Sequence, residues 1–145
     1  MAVYAFAHAI AQGRPIEVAN GGRVWRDFTY IDDIVEGITS VLDRPARPNP
    51  EWRGDAPDPA SSTAPYRLYN IGNHQPVELL YLIELLEKAL GRKARKNLLP
   101  MQPGDIEDTV ADVAALERDV GFAPSTPIEE GVAQFVAWFR EYHSI

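Results

Sequence analysis

The sequence has 145 residues, a net charge of −7, 46% hydrophobic residues and no cysteine. This length suffices for one ordinary domain, and the apolar content is too high for a disordered chain. The lack of cysteine excludes a disulfide framework and a thiolate metal site. The acidic balance argues against nucleic acid or an anionic membrane as the main partner. His8, His74 and His143 are far apart and lack the spacing of zinc ligands.

The sequence shows no pattern typical of a membrane span or an export signal. No stretch reaches the roughly 18 consecutive apolar residues of a spanning helix. The first residues also lack a basic region followed by an apolar core, which a signal peptide requires. We therefore expect a cytoplasmic protein with no membrane partner.

The first 45 residues predict two helices separated by extended chain. The first helix is rich in alanine and is stopped by Gly13 and Pro15. The second has apolar residues at the helical period, with Thr29 or Asp32 as its cap. In order, the predictions are a helix over 1–11, a strand over 16–18, a turn over 20–22, an extended segment over 26–30 and a helix that stops before Pro45.

Residues 45–65 form a segment of different composition. They hold six of the twelve prolines and few apolar residues. This pattern predicts a loop of about twenty residues, which is unusual inside a compact domain and is commonly functional or disordered. The flanking pieces are too short to be independent domains. We therefore expect one domain over 1–145 with this loop inside it.

The remaining third alternates again between strands and helices, which predicts an α/β protein, or α+β if the strands are antiparallel. In the helix predicted from Pro76, Glu78, Glu84 and Glu87 are expected on the wetter side. Gly91 and Gly121 are expected to end helices. In order, we predict a strand over 66–71, a helix over 76–90, a strand over 93–99, a short helix over 112–119 that Asp112 caps, and a helix over 128–142.

The segment R-D-F-T-Y-I-D-D at 26–33 is the most informative motif. Arg26 ends an extended stretch close to a helix start, where its guanidinium can face a phosphate. Arg14 and Arg23 lie nearby in sequence and make a local positive cluster plausible. The alternative is a surface ion pair between Arg26 and Asp27 or Asp33.

A second motif, P-M-Q-P-G-D at 100–105, follows a predicted strand. Gly104 permits a close approach of backbone to a ligand. Asp105 would repel a diphosphate, so as a ligand residue it would accept hydrogen bonds from ribose hydroxyls. Gln102 could bridge ribose or phosphate. The alternative is an ordinary proline–glycine turn with a solvated aspartate.

Three further features have simpler explanations. The basic run between Lys88 and Lys96 surrounds a helix C-terminus, where cations are favoured, so it predicts a solvated face. Capping explains the pair Asp32 and Asp33 without catalysis. The three tryptophans are expected as core or interface anchors. These are Trp25, Trp52 and Trp138.

Motifs that carry cofactor chemistry are missing from the sequence. It contains no G-x-G-x-x-G and no G-x-x-x-x-G-K, the phosphate cradles of dinucleotide and P-loop proteins. No tyrosine is followed four positions later by lysine. We therefore expect no catalytic residue and no metal site in this chain.

Taken in order, five segments resemble the extended short-chain dehydrogenase/reductase superfamily and, within it, the UDP-glucuronate 4-epimerases. The resemblance runs from residue 1 to about 142, and the proline-rich stretch at 49–60 points to that subgroup. The segments are R-D-F-T-Y-I-D-D-I-V-E-G at 26–37, Y-N-I-G-N at 69–73, P-V-E-L at 76–79, L-L-P-M-Q-P-G-D at 98–105 and S-T-P-I-E-E-G at 125–131.

The resemblance implies a C-terminal substrate-binding domain without the N-terminal Rossmann domain. In the family, that upstream domain holds NAD through a glycine-rich loop and carries the catalytic Tyr-x-x-x-Lys pair. The resembled full-length enzyme would therefore use NAD, whereas this chain alone would bind none and would be catalytically incomplete. The implied partners are a UDP-sugar and either the missing NAD-binding domain or another copy in a homo-oligomer, docked on an apolar surface.

The resemblance also assigns the binding residues. Arg26 would contact the diphosphate, Gln102 and Asp105 would hold the ribose, and the backbone of Glu17, Val18 and Ala19 would read uracil. Relatives usually carry an aromatic residue where Ala19 stands, so an apolar wall beside the base is lost. The arginine that recognises the glucuronate carboxylate would lie before residue 1. A free-standing nucleotide-sugar-binding or interaction module is the alternative to an enzyme fragment.

Overall fold

A computed structural model describes residues 2–145. Within them, helices and short strands follow one another as an α/β protein requires. In chain order these elements are α1 (Ala2–Gln12), β1 (Pro15–Val18), a 3₁₀ segment (Ala19–Gly22), β2 (Trp25–Asp27), α2 (Ile31–Leu42), β3 (Pro76–Glu78), α3 (Leu79–Leu90), β4 (Arg95–Leu98), α4 (Ala114–Val120) and α5 (Ile128–His143).

The strands form two small sheets of opposite type. β1 and β4 are parallel, with Val18 opposite Leu98. β2 and β3 are antiparallel, with Arg26 opposite Val77. Parallel strands need a long crossover that commonly contains helices, as the chain between β1 and β4 does. The predicted α/β class is confirmed.

The chain divides into two compact units, each made of separate stretches of sequence. Unit 1 comprises the described residues up to Phe28 together with Gln75–Val110 and Thr126–Ile145. Unit 2 comprises Thr29–His74 and Ala111–Ser125. This division does not test the prediction of one domain over 1–145, which stays a prediction.

Unit 1 is organised around one apolar core. Helices α1, α3 and α5 turn apolar residues inward at helical spacing and pack them with the inward residues of β1. Phe139 of α5 is fully buried and meets the ring of Tyr4 edge to face, with 5.7 Å between centroids. The buried members of this core are Ala7, Ile10, Ile16, Val18, Val24, Leu79, Leu82, Ile83, Leu86, Val132, Val136 and Phe139.

Unit 2 combines a small buried set with specific polar contacts. Val113, Leu116 and Val120 are its buried hydrophobic residues. Asp33 is buried too, and its carboxylate accepts a hydrogen bond from the Ser125 amide at 3.2 Å. The predicted side-chain cap of α2 is therefore wrong: the helix begins after Tyr30 without such a bond, and Asp33 fastens a distant loop instead.

The predicted strand over 66–71 is not formed. Of this stretch, Arg67 makes one isolated bridge with Ser61. Its side chains make polar contacts instead: Arg67 and Tyr69 donate to the Asp119 carboxylate, and Asn70 donates to the carbonyl of Asp112. The aromatic and β-branched composition favours a strand, but a strand also needs a neighbour for its ladder.

Helix α3 begins later than predicted and faces differently. Pro76–Glu78 pair with β2, so the helix begins at Leu79 rather than at Pro76. It ends as predicted at Gly91, which has the left-handed φ of 69°. Glu87, expected on the wetter side, is buried.

The tryptophans are not core anchors. Trp25 and Trp138 are 38% and 48% exposed. Trp52 is half-buried and donates its indole N–H to the carbonyl of Asp58 at 3.1 Å. That bond lies within the proline-rich loop, so Trp52 stabilises the loop rather than a core.

The histidines and helices bear on metal and membrane binding. His8 and His143, distant in sequence, lie close together, with 5.5 Å between ring centroids, and Tyr4 Oη lies 2.9 Å from His143 Nε2. Throughout residues 2–145, no group of three or more potential ligand side chains is arranged to hold a metal ion. Across the same residues, no helix has the length and apolar character needed to cross a membrane.

Candidate functional site

The carboxyl ends of β1 and β4 lie side by side because the strands are parallel. The Leu99 amide donates to the Val18 carbonyl at 2.9 Å, and the Gly21 amide donates to the Leu99 carbonyl at 3.0 Å. The segments that follow the two strands are thereby joined. Ligand sites of α/β proteins favour this edge, so segment 99–109 of unit 1 is the candidate site.

Glu17, Val18 and Ala19 occupy the end of β1 and the start of the 3₁₀ segment. Val18 buries its side chain and directs its carbonyl toward β4. Because backbone groups of successive strand residues point to opposite edges, the amide and carbonyl of Glu17 face away from β4. Asn20 and Gly21 then turn the chain with φ values of 49° and 60°. The other edge of β1 pairs with no strand of the described residues.

Arg26 lies on β2 and is held by backbone carbonyls. Nη1 donates to the carbonyls of Trp25 and Glu107 at 2.8 and 3.0 Å, and Nη2 donates to that of Ile106 at 2.7 Å. These bonds direct the guanidinium toward segment 99–109 instead of the surface carboxylates considered from the sequence. Carbonyl oxygens do not neutralise the guanidinium, so its positive charge remains beside this segment.

Gln102 and Asp105 close a tight turn. The Asp105 amide donates to the Gln102 carbonyl at 3.1 Å, and Asp105 Oδ2 accepts from the Gln102 amide at 3.2 Å. Pro103 and Gly104, with φ 93° at Gly104, fit the central positions of a type II turn. A Cβ added at Gly104 would meet nothing within 4 Å. Glycine is therefore favoured here by its positive φ and not by close packing, as expected for an ordinary proline–glycine turn.

Segment 99–109 is anchored at both ends. Its start binds β1 through Leu99, and at its end the Trp25 amide donates to Glu107 and the Thr109 amide donates to Trp25. Between these anchors, residues 102–106 are exposed. The structure thus brings the end of β1, Arg26 and the 102–105 turn onto one framework in unit 1. Among the hydrogen bonds of the described residues, none joins Arg26 directly to Gln102 or Asp105.

A buried carboxylate supports β4 from behind. Glu87 Oε2 accepts from Lys93 Nζ at 2.6 Å, and Oε1 accepts from Lys96 Nζ at 2.6 Å and the Ala94 amide at 3.0 Å. Burial raises the pKa of Glu87, but these hydrogen bonds outweigh it and lower the pKa to about 2. Sequence reasoning missed this cluster. Two lysines just past a helix stop, six and nine positions after a glutamate, were the available signal.

The described residues contain no strand–turn–helix unit of the kind that faces a pyrophosphate in dinucleotide folds. In dinucleotide folds, a strand leads through a glycine-rich turn into a helix whose N-terminus faces the pyrophosphate. Here β1 is followed by a 3₁₀ segment and β2, while β4 is followed by the 99–109 segment, without a helix before Ala114. Neither parallel strand leads through a glycine-rich turn directly into a helix.

Comparisons with known proteins agree with this architecture. Residues 1–72 match the model of the NAD dependent epimerase/dehydratase family. Protein CapI of Staphylococcus aureus is 50% identical over 143 residues, which are 99% of this chain and 43% of CapI. The probable UDP-glucuronate 4-epimerase of Rhizobium meliloti is 49% identical, over 97% of this chain and 42% of that protein.

A solved structure extends the likeness to three dimensions. UDP-glucuronic acid 4-epimerase from Bacillus cereus, in complex with UDP-glucuronic acid and NAD, superimposes with a TM-score of 0.76 at 24% identity. The match covers 98% of this chain and 40% of that one, so the fold is shared over nearly all of this chain. This chain spans about two fifths of the length of these relatives. It belongs to the NAD-dependent epimerase/dehydratase family.

Proposed function

We propose that this chain is the nucleotide-sugar-binding, C-terminal portion of an NAD-dependent UDP-glucuronate 4-epimerase-like enzyme. The supporting observation is the framework that links the end of β1, Arg26 and the 102–105 turn in unit 1. Relatives named as UDP-glucuronate 4-epimerases support a UDP-hexuronate as its ligand. Our assignment takes the outer edge of β1 as the uracil site, Arg26 as the diphosphate contact and the turn as the ribose contact.

Two roles are open to Arg26, and they predict different binding data. As a diphosphate contact, Arg26 supplies charge-assisted hydrogen bonds to the ligand. As a loop anchor, it holds Ile106 and Glu107 and so positions the ribose contacts. Calorimetry with UDP and with uridine separates these roles, because uridine has the base and ribose without the diphosphate.

Our assignment expects Arg26→Ala to weaken UDP binding by about tenfold or more while leaving uridine binding unchanged. Equal weakening of both ligands would assign Arg26 to the loop instead. Arg23→Ala is the matched control, since Arg23 is a nearby exposed arginine outside the assigned site. Failure of the unaltered 145-residue chain to bind UDP would contradict a free-standing binding module and would indicate that the missing domain completes the site.

Catalysis is assigned to the rest of the parent enzyme. NAD would accept and return hydride there, and this chain would bind and orient the nucleotide portion of the substrate. The purified chain, supplied with NAD and UDP-glucuronate, should form no UDP-galacturonate. Turnover by the chain alone would contradict the proposed division of labour.

The proposed partner surface lies on α2. Four apolar side chains, which we call the α2 stripe, repeat at helical spacing and are half to nearly three-quarters exposed. A contiguous apolar patch of this kind marks an interaction surface. We assign it to the NAD-binding domain in the parent enzyme and to a second copy in the free chain. The stripe comprises Ile31, Val35, Ile38 and Leu42.

The second candidate is a free-standing nucleotide-sugar-binding module. It is favoured by the location of the whole assigned site in unit 1, which has its own apolar core. Micromolar UDP binding that is lost in Arg26→Ala, with a monomeric chain in solution, would support this candidate. Binding that appears after the missing domain is added would support the enzyme fragment.

A further inference from the structure

The proline-rich loop of unit 2 borders a cavity of about 590 Å³. This volume lies within the ordinary range of small-molecule pockets. The cavity shares no residue with the site assigned to the nucleotide sugar in unit 1. Its walls come from the end of α2, the loop, the 66–69 stretch and α4, all in unit 2.

The loop wall is held in place despite its lack of helix or strand. Asn49 Nδ2 donates to Ser61 Oγ at 3.0 Å, and Ser61 Oγ donates to Asp58 Oδ2 at 2.6 Å. Trp52 binds the Asp58 carbonyl, and the Asn49 amide donates to the Ser62 carbonyl at 2.7 Å. Proline restricts the backbone at three lining positions. A long loop with this much internal bonding is typical of functional segments.

The three arginines that line the cavity differ in their side-chain partners. Arg67 is paired, with Nη2 3.0 Å from Asp119 Oδ2 and Nη1 3.8 Å from Asp58 Oδ2. Arg44 and Arg47 are exposed and form no side-chain hydrogen bond or ion pair with any described residue. Asp43 and Asp119 are the lining carboxylates, so the lining has one net positive charge in a chain of net charge −7.

An aromatic surface lies beside these cations. Tyr66 lines the cavity and is 45% exposed. Tyr69 is fixed by its hydroxyl on Asp119 at 3.3 Å and by the Arg67 guanidinium, 5.6 Å from its ring centroid. The fixed tyrosine forms a wall, whereas Tyr66 offers a ring face and a hydroxyl to a ligand.

We propose that this cavity binds a small organic oxyanion, with Arg44 and Arg47 gripping the phosphate or carboxylate and Tyr66 packing against the organic part. Guanidinium groups bind both kinds of oxyanion through paired hydrogen bonds. The cavity is large enough for a molecule bigger than inorganic phosphate. Because the cavity is lined by residues of unit 2, its occupant is a second ligand, distinct from the nucleotide sugar assigned to unit 1.

The test titrates pyrophosphate and citrate separately into the 145-residue chain carrying Arg26→Ala, followed by amide and arginine side-chain NMR. The Arg26 substitution removes the other proposed anion contact. We expect saturable shifts around Arg44, Arg47 and Tyr66, with the stronger probe identifying phosphate or carboxylate as the preferred group. Adding Arg44→Ala and Arg47→Ala should weaken binding by about tenfold or more.

Arg53→Ala is the matched control, because Arg53 is in the same loop but pairs with Asp55 and does not line the cavity. It should leave the affinity unchanged. Absence of saturable shifts for both probes, or equal weakening by the Arg53 control, would overturn the proposal. The UDP titration of the otherwise unaltered chain is scored separately: it should respond to Arg26→Ala and remain unchanged in the Arg44 and Arg47 variants.

Discussion

Units 1 and 2 differ in how they use their apolar residues. Unit 1 buries twelve residues in one cluster: eleven belong to α1, α3, α5 and β1, and Val24 lies just before β2. Unit 2 has three buried hydrophobic residues and leaves the α2 stripe exposed. Its loops are joined instead by polar contacts, such as those from Arg67 and Tyr69 to Asp119.

Unit 1 therefore buries its apolar residues in a core of its own, whereas unit 2 leaves the apolar side chains of the α2 stripe exposed. Apolar burial is the dominant favourable contribution to folding. The core of unit 1 therefore supplies most of the stability of that unit. Unit 2 depends on exposed ion pairs and hydrogen bonds, which individually contribute little. We therefore expect the stability of the described fold to respond most strongly to changes in unit 1 and its association to respond to changes in unit 2.

The largest effect is expected from the core of unit 1. Phe139→Ala removes a fully buried ring and should lower the free energy of unfolding by about 3–5 kcal/mol. Urea denaturation followed by far-UV circular dichroism measures the change. Leu42→Ala is the control, because Leu42 is a large apolar residue of unit 2 that is 73% exposed. Similar losses in the two variants would break the distinction between the units.

A smaller effect with a defined pH dependence is expected at Glu87. Its folded pKa of about 2 lies below the ordinary value of 4.5. Its ionisation therefore stabilises the fold above about pH 4.5, and this contribution is lost as the pH falls toward 2. The full shift corresponds to about 3 kcal/mol.

Glu87→Gln should lower the free energy of unfolding at pH 7 and flatten its decline between pH 4.5 and 2. Denaturation series at several pH values measure both changes. Glu84→Gln, on the same helix but exposed, is the matched control. An unchanged slope in Glu87→Gln would show that the lysine contacts do not carry the pH dependence of unit 1.

Local signals in the sequence were sufficient where one residue decides the backbone. Gly91 and Gly121 adopt φ values of 69° and 74° and end their helices where predicted. β1 and β4 overlap their predicted ranges. The order of the motifs also identified the family, because each constrains a different part of the chain.

Contacts between distant residues were beyond sequence reasoning. The sequence of α3 alone does not specify whether Glu87 is buried or exposed. Its carboxylate is paired with Lys93 and Lys96, which lie beyond the end of the helix. Two of the three carbonyl partners of Arg26, those of Ile106 and Glu107, are about eighty positions away. The stretch 66–71 has strand composition, yet no local pattern specifies whether a pairing neighbour is present. These features depend on which segments meet, and a single sequence does not state that.

The smallest effect on stability, and the sharpest on association, is expected from the α2 stripe. Ile38→Lys places a charge on a half-exposed apolar position, so the free energy of unfolding should change by no more than about 0.5 kcal/mol. Self-association should weaken, because a lysine at the centre of the stripe must be desolvated when a second copy covers it. Sedimentation equilibrium measures the change. Glu36→Lys, exposed on the same helix but outside the stripe, controls for net charge. If both variants weaken association equally, the change in net charge and not the stripe governs association. If the unaltered chain is monomeric at all concentrations, a second copy does not cover this surface.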